Sequence, residues 1–186
     1  MKKVFLIGGM SESGKSTFGR YLDSKGITRL KIVTFMRMVM ENEGHSGDFV
    51  EWNERAAFER PRWLHEEFTK QFLRWVNENG IECCCLESLY GPDLGLYMRE
   101  QIGSRAVIVW VNMSQEIRLE RQVIRENLAS IEEAKAYLLP RDERKVAWHV
   151  PDIEPVADVL IDNSGTIDDL YRAADAMIAE HCPEVA

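Results

Sequence analysis

The chain is short of cysteine, of positive charge and of long apolar runs, and each shortage excludes something. Only four of its 186 residues are cysteine, three of them consecutive at Cys83-Cys84-Cys85. Neighbouring side chains of an extended strand point to opposite faces and do not readily pair. With no Cys-x-x-Cys spacing, a zinc site is not expected; the run reads as small apolar residues in the buried strand of a reduced protein. Lys and Arg number 23 against 31 Asp and Glu, a net charge of −8. That balance offers no broad surface to a polyphosphate or an anionic membrane, so neither nucleic acid nor a membrane is expected as a partner. No segment approaches the ~20 apolar residues of a membrane span. The run Val4 to Ile7 is shorter than the ~7–15 apolar residues of a signal peptide, and a cytoplasmic protein is expected. No repeat, low-complexity tract or linker divides the chain, so residues 1–186 are read as one domain, with the oligomeric state left open.

What is present is alternation. Val4 to Ile7 reads as a strand stopped by Gly8-Gly9. A helix over 14–25 follows, with Phe18, Tyr21 and Leu22 at helical spacing and Gly26 as its stop. A second strand is expected over 30–35, then a short helix over 36–43. Helical spacing returns over 51–79 with a break near Pro61, and Trp63, Leu64, Phe68, Phe72 and Trp75 form a stripe that reads as core. Further strands are expected over 81–86, 106–111 and 157–161. Helices are expected over 92–101, over 114–127 with Ser114 as cap, and over 166–179 with Thr166 as cap and Asp168-Asp169 in the first turn. A helix opened by a Ser130/Glu133 capping box is expected to stop before Pro140, leaving 141–156 as a charged loop. Such alternation implies a parallel sheet covered on both faces.

The sharpest local signal is Gly9-Met10-Ser11-Glu12-Ser13-Gly14-Lys15-Ser16, a full match to GxxxxGK[ST] between a strand and a helix. Glycines let the backbone curl until successive N–H groups point at one phosphate. The helix beginning near Gly14 adds unpaired N–H groups and its positive dipole end. Lys15 can reach the β and γ phosphates, and Ser16 offers a hydroxyl to Mg²⁺. Ser11, Glu12, Ser13 and Thr17 complete the expected nucleotide-binding set. A Mg²⁺–triphosphate site also wants a carboxylate at the end of a neighbouring strand, and Glu87 ends the run Ile81 to Leu86. It is the candidate metal ligand or base, with Asp93 behind it. Phosphoryl transfer further needs cations around the moving group. Arg118, Arg121 and Arg125 share one helix and Arg141 and Arg144 follow; Arg125 and Arg141 rank first as catalytic residues.

With these motifs in view, the chain resembles the P-loop kinases of the nucleoside-monophosphate kinase group, and among them dephospho-CoA kinase-like proteins. Val107 to Val111 followed by Arg118 to Arg125 is similar to that group's fourth strand and lid entry. Arg141 to Lys145 and Ala157 to Thr166 resemble its lid and fifth-strand turn. The resemblance implies a three-layer P-loop NTPase fold: a five-stranded parallel sheet flanked by helices, with a small helical lid near 126–150. It implies ATP as nucleotide, Arg121 by the adenine, Arg125 and Arg141 on phosphates, and Asn163 to Gly165 bordering the base. It also implies an acceptor region over 36–79, where Arg37, Arg55, Arg60 and Arg62 bring positive charge and Arg37 is the preferred substrate-binding residue. Where dephospho-CoA kinases carry an aspartate after strand two, Val33 to Val39 holds no carboxylate. The reading that follows is an ATP- and Mg²⁺-dependent kinase acting on a nucleotide-like or CoA-precursor acceptor. Its alternative is an acceptor-independent ATPase or nucleotide switch. A GTPase is disfavoured, since Asn163-Ser164-Gly165 does not fit an NKxD guanine motif.

Overall fold

The computed structural model of the chain describes residues 1–183. Five strands, β1 (Lys3–Gly8), β2 (Thr28–Lys31), β3 (Cys83–Glu87), β4 (Ala106–Asn112) and β5 (Val159–Asp162), form one sheet in the order β2-β3-β1-β4-β5. Every pairing is parallel. The helices are α1 (Lys15–Ser24), α2 (Ile32–Asn42), α3 (Phe49–Glu59), α4 (Pro61–Glu78), α5 (Pro92–Ile102), α6 (Gln115–Glu126), α7 (Ile131–Ala147) and α8 (Ile167–His181). No helix among the described residues is long and apolar enough to cross a membrane.

The sheet has a core on each face because strand side chains alternate. Val4 and Leu6 of β1, Cys84 and Leu86 of β3, and Ile108 and Trp110 of β4 face α2, α4 and α5, where Phe35, Phe68 and Phe72 meet edge to face or stacked. Phe5, Ile7, Cys83, Cys85, Val107 and Val109 face α1 and α8 instead. The three consecutive cysteines are buried as expected, and burial pushes the Cys85 thiol up to about 12. The aromatic stripe of α4 is core as well: Leu64, Phe68 and Phe72 are buried, with Trp63 and Trp75 packed against them. A small separate cluster, Leu119, Ala134 and Leu138, joins α6 to α7.

Two expectations are corrected. The second strand ends at Lys31, and Ile32 to Phe35, expected as strand, open α2. Ile32, Phe35, Met36, Val39 and Met40 are all buried, spaced i, i+3, i+4, i+7 and i+8, so the helical period extends four residues further back than read. The second correction is at Pro140. The helix expected to stop there runs on to Ala147, and 150–156 form a 3₁₀ turn rather than an open loop. Proline removes one hydrogen bond from the helix interior, but the turn beyond it is anchored: Asp142 binds Arg118, and Lys145 binds a carbonyl next to β1. Ser114 and Thr166 cap as read: Ser114 accepts from the Ile117 N–H, and Thr166 with Asp169 forms a full capping box. The box expected at Ser130 is half made, since Ser130 accepts from the Glu133 N–H but the Glu133 carboxylate takes the Ala129 N–H instead of that of Ser130.

Candidate active site

Chain order reverses direction across the sheet on either side of β1, and the loop leaving the C-terminal end of β1 opens into the crevice formed there. Its geometry depends on residues at unusual backbone angles. Gly9 (φ 149°) and Gly14 (φ 93°) occupy conformations that favour glycine. A Cβ on Gly9 would stand 2.7 Å from the Val111 carbonyl oxygen. One on Gly14 would collide with Asn163 Nδ2. Glu12 (φ 61°) and Ser88 (φ 72°) hold left-handed conformations with side chains on both, a cost found mainly at functional sites. Because α1 begins at Lys15, the N–H groups of Lys15 and Ser16 have no partner within the helix and face outward from its positive end.

The loop is strapped in place from three sides. Arg118, 5% exposed, donates through Nη1 to the Ser11 carbonyl at 2.8 Å and to Asp142 Oδ2 at 2.6 Å. Asp142 Oδ1 accepts from the Ser11 N–H at 3.2 Å, closing the ring. Asn163 Nδ2 donates to the Ser13 carbonyl at 2.9 Å, and Lys145 Nζ to the Gly9 carbonyl at 2.8 Å. Lys15 itself is almost fully buried, its ammonium donating to the Met10 carbonyl at 2.6 Å and to Ser13 Oγ at 3.3 Å. Burial, and then the neighbouring Lys145, push its pKa well below the usual lysine value; burial lowers that of Lys145 too.

In front of the loop lies a cleft of about 830 Å³. Ser11, Glu12, Gly14, Lys15, Ser16, Thr17, Arg121, Arg125, Arg141 and Asn163 all line it. Gly9, Ser13 and Gly165 stand behind them: the Gly165 carbonyl accepts from Arg121 at 2.7 Å, and the other two hold the loop as described. Arg20 and Lys145 bring the lysines and arginines on the wall to six, against one acid, Glu12. Arg125 pairs with Glu12, and Arg141 lies 3.8 Å from it while stacking on Tyr137. Burial alone would raise the Glu12 pKa, but the hydrogen bond from Arg125 and the charges of Arg125, Arg141 and Lys15 hold it below the usual carboxylate range.

Two expected residues do not line this cleft. Glu87 is buried at the end of β3, where both its oxygens accept from Arg29 of β2, at 2.6 and 2.8 Å. Gly19 of α1 leaves room for that carboxylate, which a Cβ there would strike. To hold a Mg²⁺ water or take a proton, Glu87 would have to share an oxygen with Arg29. Arg37 is exposed and lies over the ring of Phe49, 4.3 Å from its centre, lining none of the hollows described here. Reading the sequence missed Asp142, Lys145 and Ser88. The first two share the inner face of α7 with Leu138, a spacing visible only once the helix is carried through Pro140. The left-handed backbone at Ser88 left no signal in the sequence.

A P-loop strapped between a basic cap and a five-stranded parallel sheet invites comparison with known structures. Dephospho-CoA kinase from Campylobacter jejuni superposes with a TM-score of 0.58 at 17% identity, over 100% of each chain. A gluconokinase from Sinorhizobium meliloti gives 0.59 at 16% identity, over 99% of this chain and 95% of that one. The chain has a P-loop kinase fold. No protein-family model matches it. In sequence it is similar to a UPF0200 protein of Thermoplasma volcanium, 20% identical over 178 residues, which cover 96% of this chain and 97% of that protein. The α6–α7 pair, joined by the small apolar cluster, contacts the loop through Arg118, Asp142 and Lys145.

Proposed function

We propose that the chain transfers the γ-phosphoryl group of ATP to a small-molecule acceptor. The observation that carries this is the six-to-one excess of basic over acidic side chains on the cleft wall, in a chain whose overall charge is −8. Such a concentration of cation, two members of it desolvated, is unfavourable unless an anion of several charges enters. The triphosphate of a nucleotide is that anion. Its β and γ phosphates meet Lys15 and the N–H groups opening α1. Arg125 and Arg141, now on Glu12, turn to the phosphates, which outbid a single carboxylate. The base lies towards Arg121, Asn163, Ile167 and Leu170. A Mg²⁺ ion carried in on the triphosphate fits the Ser16 hydroxyl and would neutralise phosphate charge there.

The direction of transfer follows from where spaces join. A second hollow of about 280 Å³ shares Ser16 and Ser88 with the nucleotide cleft. A third, about 300 Å³, shares Ser88 and Lys145 with it. Phe49 and Asn53 of α3 line both, which supports an acceptor side built in part from the 36–79 region. Lys145 stands at the junction, where charge on a moving phosphoryl group needs a fixed cation. The α6–α7 pair, spanning most of 126–150, serves as the lid that excludes water.

The test is ADP formation from Mg-ATP by the purified protein, first alone and then with nucleosides, nucleoside monophosphates, sugars and dephospho-CoA. The proposal expects ADP to form with a matching acceptor and to be lost in Lys15→Ala, whose circular dichroism stays native. Equal ADP without any acceptor, or turnover retained in Lys15→Ala, contradicts it.

A further inference from the structure

The region 36–79 carries five arginines, and if the acceptor bore a phosphate, some of them should face its hollow. None does. Arg74 pairs with Glu78 at 2.8 Å on the exposed side of α4. Arg37 covers the outer face of Phe49. Arg60 pairs with Glu43 at 2.6 Å and stacks on Trp63 at 4.1 Å. Arg55 and Arg62 are exposed, and neither lines the hollow beside Ser16. The charged side chains that do line that hollow are Lys31, exposed at its mouth, and Glu87, already neutralised by Arg29. In the adjoining hollow Arg144 is exposed at the rim, and Lys145 is bound to the Gly9 carbonyl.

What the interior of the hollow offers is different. Phe49, Met36 and Ile32 make an apolar wall, and the half-buried Tyr90 presents a phenol whose contact is a weak one to Met36 Sδ at 3.9 Å. Asn53 is 8% exposed, and its Oδ1 has no hydrogen-bond partner in the folded chain. A buried amide oxygen without a partner is costly, and in a hollow beside a phosphate-binding loop it marks where a ligand donor fits.

We infer that the acceptor is an uncharged ring alcohol, carrying no phosphate, whose apolar face lies on Phe49 and whose O–H or N–H donates to Asn53. This rests on the kinase reading above and narrows it. A free sugar or cyclitol and the ribose of a nucleoside share this chemistry. In the transfer itself, the acceptor oxygen forms the new P–O bond as the bond from the γ phosphorus to the bridging oxygen of ADP breaks; the hydroxyl proton leaves to solvent and ADP carries away the electron pair.

The experiment compares ADP formation with paired acceptors. D-glucose, D-ribose, myo-inositol, adenosine and thymidine form one set; glucose 6-phosphate, ribose 5-phosphate, myo-inositol 1-phosphate, AMP and TMP form the other. Stimulation by at least one uncharged member, and not by its phosphorylated partner, is expected, and the sugar and nucleoside arms then separate the two sources. Asn53→Leu should raise KM for that acceptor by about tenfold or more, leave KM for ATP within about twofold, and not lower Tm, because the unpartnered oxygen is gone. Stimulation confined to the phosphorylated set overturns the acceptor class and leaves phosphoryl transfer standing. Stimulation by neither set overturns both. A lower Tm in Asn53→Leu with an unchanged acceptor KM assigns Asn53 to packing and overturns its role.

Discussion

Lys15 and Lys145 sit on the wall of one cleft, and both have lysine pKa values lowered by burial. The sign of their effect on stability follows. Below the depressed folded values both states are protonated, and the folded chain bears the full cost of two desolvated ammonium groups. As pH rises towards the ordinary lysine value of about 10.4, the unfolded chain alone still holds the protons, and the cost shrinks. Lys145→Met removes that desolvation cost and, with it, the bond to the Gly9 carbonyl. Its Tm relative to the parent protein should therefore be highest near neutral pH and fall towards pH 10, and turnover should fall by about 10²–10³. Thermal melts across pH beside a steady-state assay check both; a Tm difference that does not change with pH would show that the desolvated charge adds nothing to the loss of the strap.

Among the elements, α6 and α7 hold the phosphate loop through Arg118 and Asp142, a buried pair that also binds the Ser11 carbonyl and N–H while Arg118 Nε is left without a partner. Removing one partner leaves an uncompensated buried charge, worth about 3–5 kcal/mol. Asp142→Ala should lower Tm by roughly 10 °C on that basis and weaken ATP binding, whereas replacing both partners with apolar residues should recover much of the stability. Helix α1 makes a second test. Gly19→Ala gains about 1 kcal/mol of helix propensity but drives a methyl into the Glu87 carboxylate. A net loss of stability is expected, and it should shrink in a Glu87→Ala background; additive effects of the two changes would show that the glycine does not make room for the acid. These contacts also mark where the sequence stops being legible. The loop from Gly9 to Ser16 could be read because its chemistry dictates residue type at fixed spacing. Asp142 and Lys145 could not, because Pro140 signals an end to the helix and only contacts with Arg118 and Gly9 carry it further. The partner of Glu87 was hidden as well: Arg29 lies 58 residues away and meets it only through the β2–β3 register. The early end of β2 was hidden differently, since only Lys31 and Thr34 interrupt the apolar run from Leu30 to Phe35 and period alone does not separate strand from helix over so short a run.

For the molecule as a whole, strand–helix alternation was enough to foresee a five-stranded parallel sheet, because each apolar strand needs cover on both faces. The strand order was not in the pattern; it is a finding of the structure. The charge reads differently at two levels: the chain carries −8 overall, yet the cleft gathers six basic side chains around one acid. A ligand that binds only the folded state at one hundred times its Kd stabilises it by about 2.7 kcal/mol. Saturating Mg-ATP should thus raise Tm by roughly 5–11 °C, and the shift should vanish in Lys15→Ala. The central claim is transfer rather than hydrolysis, and the most direct measurement follows the γ-phosphoryl group itself. ATP labelled at that position would be incubated with the protein and the uncharged acceptors, and the products separated. The account predicts label on an acceptor hydroxyl with little free phosphate; label recovered wholly as inorganic phosphate would contradict it.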